Sequence, residues 1–478
     1  MATALVVQGA ATDTRPRPCF TGTVMAASDL FAIAATIAVA VMVRQIFRGN
    51  FDLGIYWSLW PLLGLFPAAY ALFGLYPGVV LSPVAELRTA SYATTLVFLV
   101  LGALTFLMRN PGVYSRLAFF GAWMACLVVV PLLRSVIRAA VADQPWWGYR
   151  VVVLGASGPG EAILLKLTRH PEIGLRPVAL FDDNVPRGAI IHGIPVRGPI
   201  ASAPAFAKGA GITRAIVALP DAAVLDLVEL MDRHAQTFSR VFVIPRMHGL
   251  SSMGVETRDF GRMLAMEMRK NLLMAGPRAA KRLLDLVFAV LLLAGLAPLL
   301  ALIAILIKLE SRGNVLYRQS RIGLDCERFW VWKFRSMHVS PDKMLADYLA
   351  ANPQAAEEWR RDHKLRNDPR VTRLGRILRK TSLDELPQLL NVVRGEMSLV
   401  GPRPIVDSEV EKYGNSFALY RQVIPGLTGL WQVSGRNERS YDERVELDTY
   451  YVRNWSPWLD IYLLARTVKV VITGYGAY

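Results

Sequence analysis

Long apolar runs and short alternating ones divide the chain into three parts. Four runs, at residues 24–43, 55–75, 90–108 and 117–133, each approach the ~20 residues that cross a bilayer, and each holds few charges. They leave almost no polar face for a buried soluble bundle. The pattern predicts four transmembrane helices over 21–140, after a polar tail at 1–20. Trp57, Trp60, Tyr70, Tyr76 and Trp123 sit in or beside these runs, as an interfacial belt would. Asp29, near one end of the first run, reads as reaching the interface.

From residue 149 the period changes. Tyr149–Leu154 is a short Val-rich run and reads as a buried strand. Further strand candidates lie at 177–181, 214–219 and 239–244, alternating with helical stretches near 203–208 and 222–234. Strands alternating with helices predict a Rossmann-like α/β domain with a parallel sheet, over 145–248. Residues 249–277 read as a linker. A fifth apolar run, 283–307, belongs to a mainly α domain spanning 278–478.

The fifth run differs from the first four. Lys281 and Arg282 precede it, Lys308, Arg312, Arg318 and Arg321 follow it, and Pro298 lies near its middle. Positive charge prefers the cytoplasmic side, and proline removes a helix hydrogen bond. A centrally broken run with basic flanks at both ends predicts a re-entrant helix that enters and leaves by one face. A straight fifth span would put everything after it outside the cell.

Composition narrows the partners. The 478 residues are 53% hydrophobic and carry a net charge of +16. A length of that order suggests about three domains. The basic polar parts favour phosphates or anionic head groups. No nucleic-acid motif appears, so no nucleic-acid partner is expected. Cys19, Cys126 and Cys326 are scattered, which indicates neither a zinc site nor a disulfide framework. The first twenty residues contain Pro and Arg and lack a signal-peptide pattern. Arg15 and Arg17 before the first span, and Arg134, Arg138 and Arg150 after the fourth, favour both ends in the cytoplasm. Arg44, Arg48, Arg109 and Arg116 in the opposite loops work against that bias.

In the middle domain Gly155-Ala156-Ser157-Gly158-Pro159-Gly160 fits G-x-x-G-x-G rather than the dinucleotide fingerprint G-x-G-x-x-G. Asp182 or Asp183 stands where a ribose contact would be made. A nucleotide site and a plain tight turn both remain open. The chain has no Tyr-x-x-x-Lys pair, which argues against short-chain dehydrogenase or dehydratase chemistry.

The chemistry-bearing residues lie later. Residues 360–380 hold nine Lys/Arg against two Asp, and 370–380 form an amphipathic basic helix suited to an anionic membrane surface. Asp384 and Glu385 follow, then the rigid turn Gly401-Pro402-Arg403-Pro404. Ser382-Leu383-Asp384-Glu385 also fits a helix-capping box, which alone would explain both acids. In so basic a setting the acids stay ionised, and an ionised Asp is a competent nucleophile toward phosphorus. A diphosphate substrate would bring Mg²⁺, which suits one or two carboxylates plus phosphate oxygens. Arg403 is placed to grip phosphate.

Seven motifs in order carry a resemblance. They are Lys281-Arg282-x-x-Asp285, Lys333-Phe334-Arg335-Ser336-Met337, Ser382-Leu383-Asp384-Glu385-Leu386-Pro387-Gln388-Leu389, Gly401-Pro402-Arg403-Pro404, Pro425-Gly426-Leu427-Thr428-Gly429, Gly435-Arg436-Asn437 and Glu446-Leu447-Asp448-x-Tyr450-Tyr451. Over about 278–478 the chain resembles the bacterial sugar transferase family, the monotopic polyprenol-phosphate phosphoglycosyl transferases. The four spans and the α/β domain resemble its long members. Leu75-Tyr76-Pro77-Gly78 and Leu81-Ser82-Pro83-Val84-x-Glu86-Leu87-Arg88 look like the undecaprenyl-phosphate galactose phosphotransferase subgroup.

The resemblance implies a two-step transfer of hexose-1-phosphate, with galactose as first choice and glucose as the alternative, from a UDP-hexose to undecaprenyl phosphate. Asp384 would attack the β-phosphorus and release UMP, and the lipid phosphate would then take the sugar phosphate. Glu385 would serve metal or proton, and Asp384 and Glu385 together would hold Mg²⁺. Arg403, between Pro402 and Pro404, would bind phosphate or nucleotide, and Arg321, Lys333, Arg335 and Arg436 would meet phosphates. The family's re-entrant helix often has Ser-Pro at its break, where this chain has Ala297-Pro298. The expected setting is a multi-pass protein of the bacterial inner membrane, catalytic domain on the cytoplasmic face, acting as a homodimer at the start of O-antigen, capsule or exopolysaccharide assembly. The alternative from another class is a membrane-anchored nucleotide-sugar sensor or scaffold.

Overall fold

The computed structural model describes residues 16–48, 60–107, 115–218, 238–244, 255–259, 264–268, 271–338, 341–352, 354–357, 368–435 and 439–473. The chain forms two compact units, Met1–His248 and Gly249–Tyr478.

In the first unit, α1 (Pro18–Arg48), α2 (Leu65–Leu72), α3 (Pro83–Leu107) and α4 (Arg116–Val141) form the apolar bundle. α1, α3 and α4 are long and apolar enough to cross a membrane, as is one helix of the second unit. Small residues such as Ala32, Ala90, Ala93 and Ala122 line the contacts and let the helices approach closely. Large apolar side chains such as Phe31, Ile46, Leu99 and Leu117 face outward. That inverted distribution is what a lipid solvent permits, and this is a membrane protein.

The second expected span, 55–75, differs from expectation. Residues 55–59 lie outside the described residues, as does Trp57. From Trp60 the chain makes a 3-10 turn, Trp60–Gly64, and then only the eight residues of α2. α2 packs antiparallel on α3, with Phe66 on Phe98 (ring centroids 5.4 Å apart) and the Tyr70 hydroxyl 2.6 Å from Thr94 Oγ1. Gly74, at φ 73°, ends it, and an irregular segment leads to Pro83. Arg134 Nη2 donates to Leu75 O at 3.0 Å and Arg138 Nη2 to Gly78 O at 2.8 Å. Irregular backbone within an apolar bundle is tolerated only when its polar groups are satisfied, and these two guanidiniums do that.

The same guanidiniums correct the reading of Asp29. Arg134 pairs with Asp29 (2.5 Å) and with Glu86 (2.6 Å), and Arg138 also pairs with Glu86 (2.6 Å). Asp29 is buried, not interfacial, and takes a further hydrogen bond from the Tyr76 hydroxyl. Tyr70 and Tyr76 likewise serve the interior rather than a belt.

The α/β domain matches its expected strands closely. β1 (Tyr149–Leu154), β2 (Leu175–Phe181), β3 (Ile190–Ile191), β4 (Ile194–Gly198), β5 (Arg214–Val217) and β6 (Arg240–Val243) form one sheet of order β3-β4-β2-β1-β5-β6. All neighbours are parallel except β3–β4, a short hairpin that no expected strand anticipated. α5 (Pro159–Arg169) and α6 (Ala203–Ala210) cover opposite faces through Leu164 and Leu167 on one side and Ala203 and Ala207 on the other. The expected helix at 222–234 lies outside the described residues.

In the second unit, the expected linker contains an antiparallel hairpin, β7 (Val255–Asp259) and β8 (Leu264–Met268). α7 (Ala275–Glu310) follows as one helix of 36 residues, continuous through Pro298. Straight, it would measure about 54 Å, well past the ~30 Å bilayer core. Lys281, Asp285 and Ala289 are buried near its start, Ile303 and Ile307 near its end, and no residue between 290 and 302 is buried. Both ends therefore engage one protein body while the apolar middle stays uncovered.

The rest of the unit includes the hairpin β9 (Leu316–Ile322) and β10 (Arg328–Phe334), α8 (Arg373–Lys380), α9 (Leu389–Arg394), β11 (Ser398–Val400) parallel to β12 (Gly426–Thr428), α10 (Tyr441–Asn454) and α11 (Pro457–Thr473), with further short helices at Pro341–Ala351, Val410–Tyr413 and Phe417–Tyr420. Short strands among many helices give the mainly α character expected.

Candidate active site

Asp384 and Glu385 lie on a 3-10 segment, Leu383–Gln388, between α8 and α9. The segment is anchored on both sides. Leu383 packs with Phe334, Leu378, Ile303 and Ile307. Asn391 of α9 receives the Trp332 N–H at 3.1 Å and donates to Trp330 O at 2.7 Å, which fixes α9 to β10. Ser382, at φ 56°, sits in the left-handed region and makes no capping hydrogen bond through its side chain. The capping-box reading therefore fails. A strained non-glycine residue next to an acidic pair is typical of a functional turn.

The acids are held unequally. Glu385 Oε1 receives Lys333 Nζ at 2.7 Å. Asp384 is buried, and burial together with the neighbouring Glu385 charge pushes its carboxyl up to about 6, while Lys333 and Arg379 pull it down. Arg379 Nε donates to Ser336 Oγ at 2.8 Å, which aligns α8 with the end of β10. Gly375 makes this approach possible, because a Cβ there would stand 2.1 Å from Ser336 O. Two adjacent carboxylates that oppose each other's charge suit a hard divalent cation. Among the described residues no cluster of three or more His, Cys, Asp or Glu side chains forms, so these two carboxylates, one of them already bonded to Lys333, would need substrate oxygens to complete a Mg²⁺ site.

A second cluster stands on the same hairpin face. Across β9–β10, Lys333 pairs with Tyr317 and Phe329 with Arg321. Lys333 and Arg321 thus share one face, four residues or roughly 13 Å apart along the strands. Arg321 Nη1 donates to Pro404 O at 3.3 Å and lies 3.7 Å from Glu409. Arg444 Nη1 donates to Glu409 Oε1 at 2.9 Å. The Arg403 and Arg444 guanidiniums lie 5.8 and 4.9 Å from the Trp431 ring. Burial lowers the affinity of Arg321 for its proton, and the Arg403 and Arg444 charges lower it further. Two cations beside one tryptophan, with the Arg321 charge close to both, suit an anionic, ring-bearing ligand.

The remaining sequence candidates divide. Pro402 and Pro404 accept from Gly426 N–H and Arg321 and so shape the Arg403 turn. Arg335 instead donates to Ser311 O, Ser311 Oγ and Arg312 O, closing the end of α7. Lys281 is buried on Asp460 at 2.7 Å, and Arg282 donates to Val392 O and Val393 O at the end of α9. Both bind α7 to the catalytic body. Arg436 lies outside the described residues. Sequence reasoning put Arg379 on the basic membrane-facing side of the 370–380 helix rather than at the acids, and passed over Trp431 and Arg444. A register of basic residues against the Asp-Glu pair would have flagged Arg379, but nothing local marks the other two. In the α/β domain, Asp182 accepts the Ala156 and Asn184 N–H groups and Asp183 the Ile200 N–H. Both carboxylates thus brace loops of their own domain.

Residues 276–474 match the family described as bacterial sugar transferase, and residues 71–245 match a CoA-binding domain. The chain is 35% identical to a UDP-galactose-lipid carrier transferase of Erwinia amylovora, over 76% of each chain. It is 34% identical to an undecaprenyl-phosphate galactose phosphotransferase of Salmonella typhimurium, over 76% of this chain and 77% of that one. It is 32% identical to a UDP-glucose:undecaprenyl-phosphate glucose-1-phosphate transferase of Escherichia coli, over the same shares.

Proposed function

The chain belongs to the bacterial sugar transferase family of enzymes, and on that premise we propose that it moves hexose-1-phosphate, with galactose the first choice and glucose the second, from a UDP-hexose to undecaprenyl phosphate. One observation carries the reading. Lys333, which holds Glu385 beside the buried Asp384, shares a hairpin face with Arg321, and Arg321 stands close to the Arg403 and Arg444 charges.

Arg321, Arg403 and Arg444 hold the nucleotide and its phosphates, while Lys333 and Arg379 offset charge at the acids. An Asp384 oxygen attacks the β-phosphorus. The bond to the bridging oxygen breaks, its electron pair stays on that oxygen, and UMP departs. The sugar phosphate is left on Asp384. An oxygen of the lipid phosphate then attacks the same phosphorus, the Asp384–phosphate bond breaks, and the carboxylate returns. Asp384 and Glu385 would hold Mg²⁺, which would neutralise phosphate charge. Stabilising that charge is the main task a protein has in phosphoryl transfer.

The re-entrant reading of α7 belongs to this proposal. Its two ends pack on one catalytic body, its middle is uncovered, and Pro298 lies in that middle. Such a helix keeps Asp384 at the cytoplasmic face of the inner membrane, where a lipid phosphate and a soluble sugar nucleotide meet. Cysteines introduced at 275 and 315 are then both labelled from the cytoplasm, and opposite labelling would mean a true span. The chemistry is tested with nanodisc-held protein, Mg²⁺, undecaprenyl phosphate and a panel of UDP-sugars. UMP release with one preferred hexose, absent when the metal is chelated, is the expected result. No UMP from any UDP-sugar would overturn it.

A further inference from the structure

Four neighbouring strands of the α/β sheet open on an arginine. In the order β2-β1-β5-β6, Arg176 and Arg150 hold the second position of their strands, and Arg214 and Arg240 the first. The parallel registers set them side by side, Arg150 against Arg176 and Arg214 against Arg240. Strands lie about 4.8 Å apart, so the row spans roughly 15 Å. Like charges in register repel. Burial weakens the hold of Arg214 on its proton, and the Arg240 charge weakens it further. Among the described residues none of the four pairs with a carboxylate, and Asp143 acts on Arg176 only from farther off. Glu172, the other acid at this edge, is turned to His170 at 2.9 Å.

The bonds these arginines make are to neutral groups. Arg150 Nη1 donates to Ala210 O at 3.3 Å, and Arg176 Nη2 to Ala142 O and Gln144 O at 2.9 and 2.5 Å. The Arg214 guanidinium lies 3.1 Å from the centre of the Tyr149 ring, and Arg240 is exposed. Carbonyls and a ring orient the cations and leave their charge standing. Lys166 and Arg169 in the last turn of α5 and Lys208 in that of α6 stand at the same edge. Complementing a helix dipole is reason enough for those three, but not for a row on strands.

The place of this edge in the fold points to what neutralises it. Residues 142–148 alone join α4 to β1. They are pinned to the start of α1: the Arg17 N–H donates to Trp146 O at 2.8 Å and the Gly148 N–H to Thr21 Oγ1 at 3.2 Å. The loop before β2 is pinned to the irregular segment after α2, with the Val80 N–H on Ile173 O at 2.9 Å. The sheet thus begins where α1 enters and α4 leaves the apolar layer. Val136 of α4 still faces outward, and the helix ends at Val141, about 8 Å further on. That is roughly the depth of a headgroup layer, about 5–8 Å on each side of the apolar core. Trp146, packed edge-on against Phe20 of α1 (4.8 Å), marks the same level. A cavity of about 500 Å³ opens there too, between Cys19, Gly22 and Ala26 of α1, Pro77, and the Tyr149 that bears Arg214. Its walls are largely apolar, which suits the chain of a lipid and not a soluble anion.

We propose that the start of the parallel sheet is a docking edge for anionic lipid headgroups: exposed Arg169, Lys208 and Arg240 meet their phosphates, and Arg150, Arg176 and Arg214 behind them supply the field that draws these in. The edge holds the α/β domain against the bilayer surface, whatever reaction the catalytic unit performs.

Hydrogen–deuterium exchange tests it, on the full-length protein held as single copies in nanodiscs of phosphatidylcholine with or without phosphatidylglycerol. One basic residue at an anionic surface is worth about fivefold in affinity. In the wild type, residues 166–176 and 239–243 exchange about fivefold more slowly when phosphatidylglycerol is present, and high salt removes the difference. The double variant Arg169→Glu/Arg240→Glu exchanges like the wild type in phosphatidylcholine, which shows it folded, and gains no protection from phosphatidylglycerol. Lys208→Glu loses part of that protection and decides the matter if the double variant does not fold. Equal exchange of the wild type in the two kinds of disc overturns the proposal, as does full protection of the folded charge-reversal variants. Protection by inorganic phosphate in phosphatidylcholine discs that matches the effect of phosphatidylglycerol would assign the edge to a soluble anion. Protection that requires two copies per disc, with or without phosphatidylglycerol, would assign it to a second copy of the chain; either result overturns the lipid assignment.

Discussion

Two buried charge clusters in this chain look alike in composition and differ in balance. In the bundle, Arg134 and Arg138 face Asp29 and Glu86, two cations against two anions, and each guanidinium also bonds a backbone carbonyl. In the catalytic unit, Asp384 and Glu385 oppose one another, Arg403 and Arg444 stand over Trp431, and the three cations Arg321, Arg403 and Arg444 meet two anions, Glu409 shared by Arg321 and Arg444 and Asp448 beside Arg444. The first cluster matches its charges one for one, with only Asp29 Oδ1 and Arg138 Nε of its members left without a hydrogen bond, and holds a broken span in place. The second keeps repulsions that a cation and an anionic substrate would relieve. Buried charge with its books balanced marks architecture, and buried charge left in conflict marks a site.

Substitutions can break that contrast. The largest effect is expected from Asp384→Asn, which lowers steady-state UMP release on the order of a thousandfold or more with the fold intact. Arg134→Leu does the reverse. It leaves Asp29 and Glu86 under-paired and costs about 3–5 kcal/mol of bundle stability, read as a lower thermal midpoint in detergent, while chemistry per folded molecule is retained. A loss of turnover in Arg134→Leu at full folding would erase the distinction between the two clusters. Arg444→Gln falls between them, raising KM for UDP-hexose about tenfold, with kcat little changed.

The smallest effect is a titration in metal-free protein. The folded carboxyl of Asp384 holds its proton up to about 6, against 3.8 for an ordinary Asp. The folded state thus binds that proton more tightly than the unfolded chain does, and stability falls as pH rises from about 4 through about 6. Asp384→Asn removes that part of the decline. Magnesium added above pH 7 raises the melting midpoint of the wild type more than that of the variant. Identical melting curves for the two proteins would mean that the acid pair stores no conflict.

The contrast also explains what was legible in the sequence. Strands β1, β2, β5 and β6 are short, mostly apolar runs, and local pattern sufficed to place them. The apolar runs showed which segments meet lipid. The half-helix after Trp60 was not legible, because its irregular continuation depends on Arg134 and Arg138, about 60 residues away in sequence. At the site, Asp384, Glu385, Lys333 and Arg403 stood out as charged residues in distinctive turns or motifs. Lys281, Arg282 and Arg335 looked like phosphate seekers or membrane flanks, yet they bind carboxylates and helix-end carbonyls. Charge is visible in a sequence, but whether a partner already neutralises it is a property of the fold.

The central claim is that Asp384 carries the sugar phosphate covalently. Intact-protein mass spectrometry tests it most directly, after incubation with Mg²⁺ and the preferred UDP-hexose and with undecaprenyl phosphate left out. The account predicts a mass gain of one hexose phosphate, mapped to Asp384, lost on adding undecaprenyl phosphate and absent in Asp384→Asn. Turnover in the complete mixture with no adduct at any time point, or an adduct that persists in Asp384→Asn, would contradict it.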